Sequence, residues 1–176
     1  MVSPQTLSDS DRRIVARWAA ACAARVVPLF EAEASAQDEI RDALDRTRAY
    51  SEGRSSAAEE IARRFIAVKA AKAAVSPAGA AAARAVAQAS AVAHMGAHAL
   101  GAAAYAVKAV SLANAGRPEK VDEEIRWQIA DLREGERVAL RLLPPLGEDA
   151  AGPLAGGLLS RGVLGSTIIR IQRQIA

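Results

Sequence analysis

Cysteine and aromatic residues are scarce in this sequence, and acidic residues are missing from its middle third. The single cysteine, Cys22, cannot close an internal disulfide, which suits a reducing compartment and predicts a cytoplasmic protein. Aromatics make up 3% of the chain, so any core must be assembled from alanine and aliphatic side chains. Val, Ile and Thr nowhere alternate in strand fashion, which argues against a sheet. The start, Met1-Val2-Ser3-Pro4, shows no basic residue followed by an apolar run, so no signal peptide is expected. The longest apolar stretch, residues 73–107, is mostly alanine and is interrupted by Arg84, Gln88, His94 and His98, so it is not read as a membrane span. No GxxxxGK(S/T) loop, no GxSxG elbow and no cysteine with a credible histidine partner is present. The expectation is a protein that is not an enzyme and holds no cofactor.

What the chain has in quantity is alanine, a quarter of its 176 residues and the residue with the highest helix propensity. Hydrophobic residues reach 51%, enough for a sizeable core. These features predict an all-α fold, a compact bundle or short stacked array of about five to seven helices. Ser8 and Asp11 are spaced like a capping box, opening a helix that carries Ile14, Trp18, Cys22 and Val26 and stops at Pro28. A second helix is expected over residues 38–50, with Gly53 as its stop. A third opens on Ser56 and Glu59, carries an apolar stripe of Ile61, Phe65, Val68 and Val75, and ends at Ser76-Pro77. A fourth, residues 78–113, has potential breaks at Gly96 and Gly101. Pro118 and an acidic first turn open a fifth, which is expected to break at Gly135 before a shorter helix to Leu143. Leu143-Pro144-Pro145 closes a principal domain of residues 8–145. Residues 146–176, glycine-rich and ending in an apolar segment with Arg170 and Arg173, form an extension that is either a terminal helix or a docked arm.

Three features are candidates for function. His94, His98, Gly101, Tyr105 and Lys108 share one side of a continuous helix, forming a polar face that can bind a partner or small molecule. Two histidines four apart can also ligate zinc, but Met95 stands where a metalloprotease needs glutamate, so metal binding is the weaker alternative to hydrogen bonding between helices. Second, no acidic residue lies between Glu60 and Glu119, an interval that carries Arg63, Arg64, Lys69, Lys72, Arg84, Lys108 and Arg117. Such a surface attracts acidic partners unless neighbouring acidic helices neutralise it inside the fold. Lys72 falls in the phase of the Ile61–Val75 stripe, either snorkelling past the core edge or held by a carboxylate. Third, Trp18 and Trp127 are core residues or interface anchors, Trp127 projecting away from Ile125 and Ile129. The net charge of +3 and the few aromatics count against nucleic acid.

Several segments, in order, carry a resemblance. They are Arg17-Trp18-Ala19-Ala20-Ala21-Cys22-Ala23 with Val27-Pro28-Leu29-Phe30-Glu31, then Ala91-Val92-Ala93-His94, His98 to Ala106 with Lys108-Ala109, and Glu124 to Gln128 with Leu132. Across residues 8–145 the chain resembles the immunity proteins related to immunity protein five of bacterial polymorphic toxin systems. The resemblance implies an intracellular protein that binds and blocks a cognate protein toxin. It implies no catalytic mechanism and assigns no interface residues. The alternative reading is a small-molecule or metal-binding helical bundle using the His94/His98/Tyr105/Lys108 face. An alanine-rich helix face could also build a homodimer.

Overall fold

The computed structural model describes residues 3–176, and every regular element among them is helical. In chain order these are α1 (Asp9–Ala24), α2 (Ala34–Ser51), α3 (Ala57–Arg63), α4 (Ile66–Ala70), α5 (Pro77–Ala91), α6 (His98–Ala113), α7 (Pro118–Asp131), α8 (Glu134–Arg141) and α9 (Gly162–Ile175). Eight have seven residues or more, against the five to seven expected. The eighth comes from the break of segment 78–113 into α5 and α6 beside Gly96, one of its two expected break points; segment 56–75, read as one helix, also splits, into α3 and the five-residue α4. No helix among the described residues is long and apolar enough to cross a membrane. Met1 and Val2, on which the leader reading partly rests, lie outside the described residues.

Serine starts three of these helices by the same chemistry, a hydroxyl accepting an amide that the helix itself cannot pair. Ser8 accepts from the Asp11 amide at 3.0 Å, and Ser76 from the Gly79 amide at 3.0 Å. Ser56 and Glu59 form the full reciprocal box: Ser56 Oγ accepts the Glu59 amide, and the Glu59 carboxylate accepts the Ser56 amide at 2.8 Å.

The core is centred on α6, which touches α1, α5, α7 and α9. Leu100, Ala102, Ala103, Ala104, Ala106 and Val107 are all fully buried, so α6 is covered nearly all round. Its methyl-sized side chains let neighbouring helices lie close. Trp18 of α1 is also fully buried, its indole N–H donating to the Gln128 carbonyl at 2.8 Å.

The segment 56–75 departs from its expected packing. The helix breaks at Arg64 and Phe65, and the stripe read as core faces outward: Phe65 is 56% exposed, Val68 45% and Val75 70%. The buried face is alanine, with Ala67, Ala70 and Ala71 set against α2 and α5. Glu60 is buried beside them and pairs with Arg46 of α2 at 3.1 Å. Lys72 is exposed with no carboxylate beside it.

The turn between α5 and α6 is closed by the N-terminal residues. The amides of Gly96 and Ala97 donate to the carbonyls of Thr6 and Gln5, each at 3.0 Å. A Cβ on Gly96 would stand 2.4 Å from Leu7 Cδ1, so any other residue there would displace the Leu7 side chain. Gln5, itself fully buried, reaches on to the C-terminal segment: Nε2 donates to Asp149 Oδ2 and the Ala151 carbonyl at 2.7 Å, and Oε1 accepts the Leu154 amide at 2.9 Å. Residues 146–176 place Leu154, Leu159, Leu164, Ile168, Ile171 and Ile175 in the same core as α1 and α6. Their helix, α9, lies along α6.

Candidate functional site

α5 and α6 form an antiparallel pair, and α4 lies against α5 on one side of it. On this side several basic side chains of the acid-free interval gather, Lys72 and Arg84 near Tyr105 and Lys108 beside its ring. Arg63, Arg64, Lys69, Lys72, Arg84, Lys108 and Arg117 all lack a carboxylate within ion-pair distance among the described residues, whereas eleven of the other sixteen lysines and arginines have one. Neutralisation from acidic helices is partial: Arg117 acts on Glu123 of α7 and Arg63 on Glu59 of α3, each helping to hold that carboxylate below its ordinary pKa. Carboxylates of α2, α3, α7 and α8 are used elsewhere: Asp42 and Glu60 hold Arg46, Glu124 holds Arg25, and Asp131 and Glu136 hold Arg17.

Within this surface a cleft of about 240 Å³ lies between α4, the turn Ala71–Ala73, α5 and α6. Val68, Ala71 and Ala87 form apolar walls, and Lys72, Arg84, Gln88 and Tyr105 supply the polar groups. Tyr105 is only 4% exposed, and its hydroxyl has no hydrogen-bond partner among the described residues. Burial raises the phenol pKa and Arg84 opposes that shift, so the hydroxyl keeps its proton at neutral pH and can donate. The Lys108 ammonium lies 6.0 Å from the Tyr105 ring centroid. At the outer edge the Arg64 guanidinium stacks 4.2 Å above the exposed Phe65 ring.

The expected His94–Lys108 stripe is only partly assembled. Residues 92–97 interrupt the helix, so His94 sits in the α5–α6 turn, exposed, and not one turn before His98 on a common helix. His98 opens α6, and its Nδ1 lies 2.7 Å from Gln88 Oε1. Burial, and then neighbouring His94, push the His98 imidazole down to about 4. At neutral pH the ring is therefore uncharged, with Nδ1 donating and Nε2 left as an acceptor. Gly101 gives room for this contact, since a Cβ there would stand 2.3 Å from Gln88 Oε1. The structure thus brings Tyr105, Lys72 and Lys108 to one surface and links His98 to it through Gln88. No group of three or more His, Cys, Asp or Glu side chains among the described residues is placed to hold a metal ion.

The tryptophans lie elsewhere. Trp18 has no exposed surface and cannot anchor a partner from inside the folded core. Trp127 is partly buried beneath the Arg25 guanidinium, 3.9 Å from its ring, and that guanidinium also pairs with Glu124 at 2.9 Å. Phe65, Val68 and Gln88 join the candidate surface although sequence reading gave none of them a site role, and Arg84, expected only as one of the basic interval's charges, lines the cleft itself. A signal for the first two was present: Ala67, Ala70, Ala71 and Ala74 form a helical face of their own, so the larger side chains were free to point outward.

No curated protein and no solved structure matches the chain. One family does, described as "Imm-5 like putative immunity protein", over residues 5–135, a span that contains α1 to α7 and the whole cationic surface. The chain belongs to this immunity protein family.

Proposed function

We propose that this protein binds a cognate bacterial toxin in the cytoplasm and neutralises it by occlusion, without catalysing a reaction. The observation that carries the reading is the uncompensated charge of the α4–α5–α6 surface. Lys72, Arg84 and Lys108, gathered about Tyr105 without a carboxylate in ion-pair distance among the described residues, suit an acidic surface. Long-range attraction between the two raises the association rate, and a few desolvated contacts set the dissociation rate. Phe65 and Val68, exposed beside the charges, are the apolar groups placed to become those contacts. Trp127, fixed by Arg25, is a weaker candidate anchor. A blocking protein needs shape and charge held rigidly, and the alanine-packed α5–α6 pair supplies that support.

The test is co-expression with the toxin-domain protein encoded beside this gene. The expected result is a complex and restored growth of cells making the toxin. The paired change Arg63→Glu with Lys69→Glu is expected to slow association about tenfold at low salt while lowering the melting temperature by only a few degrees, since both side chains are exposed in the last turns of short helices. Growth inhibition that persists despite abundant folded protein would remove the immunity reading. A complex indifferent to the charge reversal would move the interface to another face.

A further inference from the structure

We propose that the Tyr105 cleft is a receptor for one glutamate side chain of the bound partner; this rests on the toxin-binding reading only for where the glutamate comes from. The cleft has two halves of different chemistry. Its walls are the hydrocarbon of Val68, Ala71 and Ala87, and its polar groups are the Lys72 ammonium, the Arg84 guanidinium, the Gln88 amide and the Tyr105 hydroxyl. An occupant that satisfies both has an aliphatic stem and an anionic end.

The donors distinguish among anions. The lining residues lie within α5, within α6, or in α4 and the helical turn that follows it. Their amides are largely committed to helical bonding, so the cleft offers no cradle of free backbone N–H groups of the kind that favours phosphate. Its donors are side chains, among them a guanidinium whose fork matches a carboxylate. Among the described residues neither Lys72 nor Arg84 has a carboxylate within ion-pair distance, and the Tyr105 hydroxyl has no hydrogen-bond partner. Gln88 is held through its Oε1 by His98, which leaves its Nε2 hydrogens as donors. A volume of about 240 Å³ corresponds to roughly eight waters, sufficient for the two methylenes and carboxylate of glutamate. The aspartate stem, one methylene shorter, would reach less of the hydrocarbon wall.

The experiment titrates the purified full chain with blocked Ala-Glu-Ala, blocked Ala-Gln-Ala and inorganic phosphate, followed by amide and side-chain chemical shifts. The expected result is a saturable response to Ala-Glu-Ala confined to residues 68–72, 84–88 and 105, with none for Ala-Gln-Ala and a weaker one for phosphate. Arg84→Gln, a change at an exposed position, is expected to weaken Ala-Glu-Ala binding tenfold or more, and Tyr105→Phe to weaken it several-fold. Equal responses to the two peptides, no saturable response at these residues, or phosphate binding more tightly than Ala-Glu-Ala would each overturn the proposal. Failure here is separable from failure of the toxin reading. If charge reversal at Arg63 and Lys69 weakens the toxin complex while Arg84→Gln leaves it unchanged, the surface stands and the glutamate receptor falls.

Discussion

At the scale of single residues, the methyl group sets the terms. Alanine buries little surface, so each contributes little hydrophobic free energy, but it allows α6 to be enclosed by four helices at short range. The large buried groups are then few and specific. Trp18 is one, with its N–H satisfied by Gln128. His98 is the polar counterpart. Its pKa is about 4 in the folded protein, below the ordinary 6.5, so between those values the unfolded chain binds more protons. The stabilising contribution is complete above about pH 6.5 and is lost as the pH falls through about 4. The gap is worth roughly 3 kcal/mol at most. Urea midpoints measured from pH 7 to pH 4 should therefore fall less steeply for His98→Gln than for the wild-type chain. Parallel curves would show that the imidazole titrates normally.

At the scale of elements, the informative feature is the split of segment 56–75 into α3 and α4. Hydrophobicity ranks Phe65, Val68 and Val75 as core, and periodicity places them on one helical face. Packing chose the alanine face, because the partners across it, α2 and α5, leave a gap that suits a methyl. The buried Arg46–Glu60 pair reinforces that orientation, since turning α3 over would carry Glu60 away from Arg46. The two faces should respond to mutation in opposite ways. Phe65→Ser and Val68→Ser should change stability by no more than about 0.5 kcal/mol, whereas Ala67→Leu should cost about 1–3 kcal/mol by overpacking. Denaturant titration of the three variants checks this, and a destabilised Phe65→Ser protein would restore the stripe to the core. The same split is why the candidate surface was only partly legible in the sequence. Tyr105, Lys108 and Lys72 stood out as polar groups in an alanine background. The apolar members Phe65 and Val68 could not be separated from core residues by hydrophobicity alone.

At the scale of the whole molecule, the family match ends at residue 135 while the core does not. Leu154, Leu159, Leu164, Ile168, Ile171 and Ile175 are all buried. At roughly 1.5–3 kcal/mol for each buried aliphatic side chain, their gross contribution is comparable to the roughly 5–15 kcal/mol net stability of a typical domain. A chain ended after Pro145 should therefore lose cooperative thermal unfolding and bind a hydrophobic dye, by calorimetry and fluorescence. A sharp melting transition in that truncated chain would mean that α1 to α8 form a sufficient core by themselves. The charge distribution is also a property of the whole molecule. Glu124, Asp131 and Glu136 of α7 and α8 are turned onto Arg17 and Arg25 of α1, away from the cleft that holds Lys72 and Arg84.

Composition and local chemistry alone determined that the chain is helical, where Ser8 and Ser56 start helices, that a helix ends before Ser76-Pro77, and which interval lacks acidic groups. Those properties depend on propensity, capping and counting, which act over a few residues. Which face of α4 is buried, where the 78–113 segment turns, whether the basic side chains are neutralised and how residues 146–176 attach were decided only by tertiary structure. Each depends on groups distant in sequence: Gln5 and Leu7 against Gly96, Arg46 against Glu60, Gln5 against Leu154. Such pairings arise when helices close around a shared core, and no local pattern records them.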